Sequence, residues 1–164
     1  MTNKTLGDRM KDYERTANFC LQRKIPVIGR LDGKAFHTLT RKLDRPFDEM
    51  FHLCMVDATK ALCEKVQGCQ IGYTQSDEIT ILLTDWASFS TDAWFGYRIQ
   101  KMCSVAASIA SVAFQESWES QTGSRPTADA LFDARFWNIA KEEVNNVFLW
   151  RQRDAEKNSV TMLA

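Results

Sequence analysis

The sequence lacks an apolar run approaching the ~20 residues that a membrane-spanning helix needs, and no charged, apolar, small-residue leader opens it. A cytoplasmic protein without a membrane partner is the expectation. Internal repeats, low-complexity tracts and Gly/Ser linkers are absent too, which excludes solenoids and flexible multidomain arrays and predicts one globular unit over residues 1–164. The cysteines Cys20, Cys54, Cys63, Cys69 and Cys103 are odd in number and include no Cys-x-x-Cys pair, so zinc-ribbon and dithiol redox motifs are missing. Cys63 and Cys69 with His52 match no familiar zinc spacing, and reduced, mostly buried thiols are expected. An excess of one charge is also lacking: 21 basic residues balance 21 acidic ones. Composition alone therefore does not announce a protein that grips a phosphate backbone.

What is present is a core-forming chain, 45% hydrophobic, with alternating periods. After a polar, helical opening, Ile25-Pro26-Val27-Ile28-Gly29-Arg30-Leu31 reads as a strand that Asp32-Gly33 ends with turn chemistry. From Asp48 to Val66 the apolar residues Phe51, Met55, Ala58, Leu62 and Val66 recur at steps of three and four, a helix that Asp48 can cap. Gln70-Ile71-Gly72-Tyr73 and Ile79-Thr80-Ile81-Leu82-Leu83 are β-prone runs joined by the polar connection Thr74 to Glu78. Asp92 to Trp118 predicts a long helix, Leu131 to Ile139 a strand, Lys141 to Val160 another helix, and Gln121 to Asp129 a loop. Strand, helix, strand, strand, helix, strand is the ferredoxin-like order. The predicted fold class is α+β, a polymerase/cyclase palm-like antiparallel sheet with helices packed on one face.

In that topology Asp32, at the end of the first strand, and Asp77, at the hairpin tip, lie beside each other. Two close carboxylates repel unless a cation compensates them, and magnesium suits such hard oxygen ligands. A pair of ions there would support in-line displacement at phosphorus. Gly33 permits a sharp turn, so the amides of Lys34, Ala35, Phe36 and His37 can face one concavity or open a helix. Lys34 and Ser76 can add donors for a triphosphate. The plainer alternative is that Asp-Gly and Ser-Asp-Glu are ordinary solvated turns and that Glu78 faces solvent. Basic residues gather in two stretches, Arg30, Lys34, Arg41, Lys42 and Arg45, then Arg151, Arg153 and Lys157.

Arg30-Leu31-Asp32-Gly33-Lys34-Ala35-Phe36-His37 and Tyr73-Thr74-Gln75-Ser76-Asp77-Glu78 resemble the metal and triphosphate motifs of the tRNA-His guanylyltransferase family. Phe132-Asp133-Ala134-Arg135 and Trp150-Arg151-Gln152-Arg153-Asp154 resemble its later signatures. The resemblance implies a 3′–5′ nucleotidyltransferase in which a nucleotide's 3′-hydroxyl attacks the activated 5′ end of tRNA, with GTP or another NTP, and ATP, as substrates. It implies two Mg2+ ions on Asp32, Gly33 and Asp77, and a nucleotide on Asp32, Gly33, Lys34, Ala35, Phe36, His37, Ser76 and Asp77. Asp32, Asp77 and Glu78 are the candidate catalytic residues, and Arg151, Arg153 and Asn158 the candidate contacts to tRNA. A homo-tetramer is implied as well.

Where tRNA-His-specific members carry His-Ile-Asn-Asn, this chain has Glu156-Lys157-Asn158-Ser159, which points to the guanylyltransferase-like branch that repairs truncated tRNA. The chain also stops at Ala164 inside a predicted helix, and it is expected to be truncated relative to the family. A palm-type nucleotide cyclase and a non-catalytic tRNA- or nucleotide-binding module are the alternatives.

Overall fold

Thr5 opens the first helix, α1 (Leu6–Arg15), through a capping box in which its hydroxyl accepts from the Asp8 amide while the Asp8 carboxylate accepts from the Thr5 amide. The computed structural model describes residues 4–44 and 47–163, so Arg45 and Ala164 among the residues singled out above lie outside it. No residue of α1 is buried.

Four strands follow, β1 (Val27–Gly33), β2 (Cys69–Gln75), β3 (Glu78–Leu83) and β4 (Phe132–Asn138), in one antiparallel sheet of order β2-β3-β1-β4. This is the ferredoxin-like arrangement that the element order predicts. A one-turn helix, α2 (Phe36–Leu39), follows β1 directly. The crossover helices are α3 (Glu49–Lys65) and α4 (Ile99–Thr122). Asp48 caps α3 by accepting from the Phe51 amide at 2.8 Å, and Gly123, in the left-handed region, ends α4.

Val27, Leu31, Ile79, Ile81, Leu83 and Phe136 bury one face of the sheet against Met55, Ala58 and Leu62 of α3 and Met102, Ala106, Ala110 and Phe114 of α4. The alanines let α4 lie close, and Gly29 makes room for the Phe136 ring, which a β-carbon there would meet at 2.3 Å. A further helix, α5 (Val144–Leu163), goes beyond the expected one-face arrangement. It packs Val147 on Ile28 and Leu82, on the opposite side of the sheet.

Two boundaries differ from the sequence reading for local reasons. The helix expected from Asp92 begins at Ile99, because Phe95, Gly96 and Tyr97 all take positive φ and break it into a preceding 3-10 turn. The expected five-residue hairpin connection shrinks to Ser76-Asp77, since Thr74, Gln75 and Glu78 join the ladder. Among the five thiols, all unbridged, Cys54 alone is fully buried and Cys20 is exposed, which corrects the expectation of mostly buried cysteines. No helix among the described residues is long and apolar enough to cross a membrane.

Candidate active site

Residues paired across an antiparallel ladder point to the same side, so the sheet face that carries α5 is ruled in rows. Nearest the hairpin tip the row reads Glu78, Asp32, Asp133; the next reads Thr80, Arg30, Arg135; the third reads Leu82, Ile28, Trp137. The third row is the apolar floor under α5. The first sets three carboxylates abreast, with Cα separations of about 5 Å between ladder partners. Like charges so placed are destabilising unless something compensates them.

Two of the three are compensated. Glu78 Oε2 accepts from Arg151 Nη1 at 2.7 Å and lies 3.8 Å from Arg30 Nε, while Asp133 Oδ1 accepts from Arg135 at 2.9 Å. No ion pair among the described residues reaches Asp32, nor Asp77, which stands just beyond the row. The Gly33 amide donates to the Asp77 carbonyl at 2.9 Å and thereby draws the hairpin tip against the end of β1. Burial first, and then the charges of Asp77, Asp133 and Glu78, hold the Asp32 carboxyl above the usual carboxylate range, with Arg135 offsetting only part.

Local backbone shapes this corner. Ser76 has φ of 48° and Ala35 φ of 56°, left-handed values that cost a non-glycine residue on the order of 1 kcal/mol and gather at functional turns. The Ser76 hydroxyl donates to Asp77 Oδ1 at 3.1 Å, so it orients that carboxylate. Gly33 is required by close approach: a β-carbon there would lie 2.5 Å from the Phe36 ring. Phe36 is 2% exposed and packs with Phe51, Phe114 and Phe132, so its side chain belongs to the core and it can offer a nucleotide only its backbone. The amide of Lys34 donates to the Leu131 carbonyl at 2.7 Å instead of facing a shared concavity. The side chains of Lys34, Ala35 and His37 stand exposed on the rim.

The later basic stretch divides. Arg151 is 5% exposed and engaged inward, whereas Arg153 and Asn158 are exposed on α5. Sequence reasoning does not single out Asp133 as part of this corner. The alternation of Phe132 and Phe136 with Asp133 is a usable signal for its face, but its place beside Asp32 is a matter of register. No group of three or more His, Cys, Asp or Glu side chains among the described residues is arranged to hold a metal. Asp32 and Asp77 are nevertheless the kind of hard donors that magnesium takes. Two carboxylates rather than a closed cage would leave positions open for phosphate oxygens.

The sequence model of the tRNAHis guanylyltransferase family matches residues 7–140. The chain belongs to this family. Its curated relatives include an uncharacterised protein of Acanthamoeba polyphaga mimivirus, 33% identical over 99% of this chain and 63% of the relative. Another is the tRNA(His) guanylyltransferase of Schizosaccharomyces pombe, 28% identical over 96% of this chain and 59% of that protein. The chain thus spans about three fifths of the length of these relatives. Among solved structures, a bacterial tRNA(His) guanylyltransferase (Thg1)-like protein in complex with GTP superposes with a TM-score of 0.92 at 40% identity, covering 97% of this chain and 76% of that one. The bacterial protein in complex with ATP gives a TM-score of 0.93 at 40% identity, over 97% and 69%. The Saccharomyces cerevisiae tRNA(His) guanylyltransferase, at 21% identity and a TM-score of 0.76, shares the guanylyltransferase fold over 87% and 64%.

Proposed function

We propose that this guanylyltransferase-family chain is a magnesium-dependent 3′–5′ nucleotidyltransferase that extends the 5′ end of tRNA, with template-matched repair of 5′-truncated tRNA as its task. The observation that carries the reading is the meeting of Asp32 and Asp77 at one end of the sheet as carboxylates without an ion-pair partner among the described residues. A charge cluster left uncompensated by the protein suits a cationic cofactor. Relatives of 40% identity bound to GTP and to ATP support nucleoside triphosphates as substrates. The repair assignment is supported by Glu156-Lys157-Asn158-Ser159 in place of His-Ile-Asn-Asn. The higher identity to a Thg1-like protein than to the fission-yeast tRNA(His) enzyme supports it too. A cytoplasmic location and a homo-tetramer belong to the same reading.

Asp32 and Asp77, with the Gly33 carbonyl, would hold two magnesium ions. Bound there, the ions supply a lowered pKa for the attacking hydroxyl and charge compensation for the leaving pyrophosphate. The chain's own residues do the rest. The hydrogen bond from Gly33 to Asp77 keeps the two carboxylates in register, and Ser76 fixes the Asp77 rotamer. The exposed turn of Lys34, Ala35 and His37, with a Lys34 ammonium free to swing, takes the triphosphate. Arg153 and Asn158 offer polar contacts to the RNA from α5.

The test supplies tRNA lacking its first nucleotide with each nucleoside triphosphate in turn and reads the new 5′ end. Template-matched, magnesium-dependent addition is expected, and Asp77→Ala lowers it to background while the circular dichroism spectrum is kept. Undiminished addition by that variant would contradict the site. Guanosine addition confined to histidine tRNA would replace repair with the narrower role.

A further inference from the structure

Helix α5 meets the sheet through contacts of two kinds. Its first turns pack Val144, Val147 and Phe148 on Ile28, Leu82 and Trp137, the row farthest from the hairpin tip. One turn later Arg151 reaches the acidic row, where Nη1 donates to Glu78 Oε2 at 2.7 Å and Nη2 to Asp154 Oδ2 at 2.9 Å. The Trp150 ring centroid lies 3.8 Å from the guanidinium carbon of Arg151 and 5.7 Å from that of Arg30, and Arg30 Nε is 3.8 Å from the same Glu78 oxygen. Two guanidiniums, an indole and a carboxylate therefore join α5, β1 and the first residue of β3. The match to the family's sequence model covers residues 7–140 and stops short of α5.

An ion pair buried this far is a weak source of stability, because desolvation offsets its attraction and an apolar pair would hold a helix as well. Its distinctive contribution is geometric. Arg151 is itself held, through Nη2 by Asp154 and through its guanidinium face by the Trp150 ring, so its single charge-assisted bond from Nη1 fixes where Glu78 stands. Glu78 follows Asp77 directly and is the ladder partner of Asp32. Fixing it fixes the end of the hairpin from which Asp77 projects.

Resting on the nucleotidyltransferase reading above, we propose that Arg151 is a positioning residue of this site, holding the 76–78 turn through Glu78 so that Asp77 stands beside Asp32. Glu78, expected from the sequence to be catalytic, is then the anchor for Arg151 and does not touch substrate. Helix α5 becomes part of the support of the site, alongside its exposed Arg153 and Asn158.

The experiment compares Arg151→Met, Arg151→Lys, Glu78→Gln and the double variant Glu78→Gln/Arg151→Met, all in the full chain. Amide hydrogen exchange of residues 76–79 in the ligand-free protein reads the anchoring without any activity. Exchange about tenfold faster in Arg151→Met is expected, the effect of losing one charge-assisted hydrogen bond. Unchanged exchange overturns the proposal whatever the chain catalyses. On 5′-truncated tRNA, each single variant is expected to lose about 10²-fold in kcat with KM for the triphosphate within about twofold, the signature of misplacement rather than lost binding. The double variant loses no more than either single, and Arg151→Lys regains part of the loss. Additive losses would show Glu78 acting on the reacting groups by itself. A double variant that regains both Tm and kcat would show a merely structural pair. Either result overturns the proposal. Slowed addition by none of the variants, with wild-type addition intact, does so as well. If wild-type protein adds no nucleotide while exchange responds as expected, the functional reading falls and the anchoring stands.

Discussion

Asp32 and Asp85 are acids of one type that respond to pH in opposite senses. Asp32 has its folded pKa raised, by burial first and by neighbouring carboxylates second, so its contribution to stability is full below the unfolded value and lost as pH rises through the folded one. At pH 7 its ionised form opposes folding. Asp32→Asn is therefore expected to raise the Tm of the metal-free chain at pH 7, and the gain disappears below about pH 4, where the carboxyl is protonated in both states. Thermal scans at the two pH values check this, and a lower Tm at pH 7 would refute the repulsion. Asp85 is 1% exposed, and burial pushes it upward. The hydrogen bond from Arg23 at 2.6 Å, the Lys24 amide at 2.8 Å and both side-chain charges more than offset that, so its carboxyl is held low. Its stabilisation is present above the unfolded value and is lost as pH falls below about 4. Asp85→Ala is expected to lower Tm by about 5 °C or more at pH 7 and to flatten the acid side of the stability profile, measured by calorimetry across pH 3–7.

Among the elements, the β1–α2 turn couples the core to the site most directly. Gly33 closes against Phe36, and Phe36 sits among three other rings, so the carboxylate-bearing end of β1 is tied to the aromatic cluster below it. Gly33→Ala places a β-carbon 2.5 Å from that ring and forces it to move. The expected cost is about 1–3 kcal/mol, read as a lower urea midpoint at unchanged m-value. Loss of nucleotide binding should accompany it, because the exposed turn 34–37 shifts with Phe36. The hairpin is the matching element on the other side. Its two-residue turn, with Ser76 in the left-handed region, presents Asp77 at a tip that the Gly33 amide holds in place.

Taken as one molecule, the chain places a compensated apolar and basic sheet face under α5 and leaves the acidic end of that face open. On the proposed function, a triphosphate with magnesium bound at that end would stabilise the fold by mass action, about 2.7 kcal/mol at a hundredfold excess over Kd. Thermal shift with GTP and magnesium should show the gain in the wild type and none in Asp77→Ala, and equal gains would place the ligand elsewhere. Much of this was legible in the linear chain. Period-two runs and helical spacings located all four strands and the crossover helices, and chain order fixed the ferredoxin-like topology, because these are properties of short segments. Asp32 and Asp77 stood out because turn chemistry put each at the end of a strand. That Arg151 turns inward to Glu78 and that Asp133 stands beside Asp32 was not legible there. Both depend on which residues face each other across the ladder and on which side α5 settles. The amino-acid order by itself determined where strands, helices and turns form, since those follow from local propensity and period. The tertiary structure alone decided which acids lost their ion-pair partners, because compensation of charge depends on distances between segments far apart in the chain.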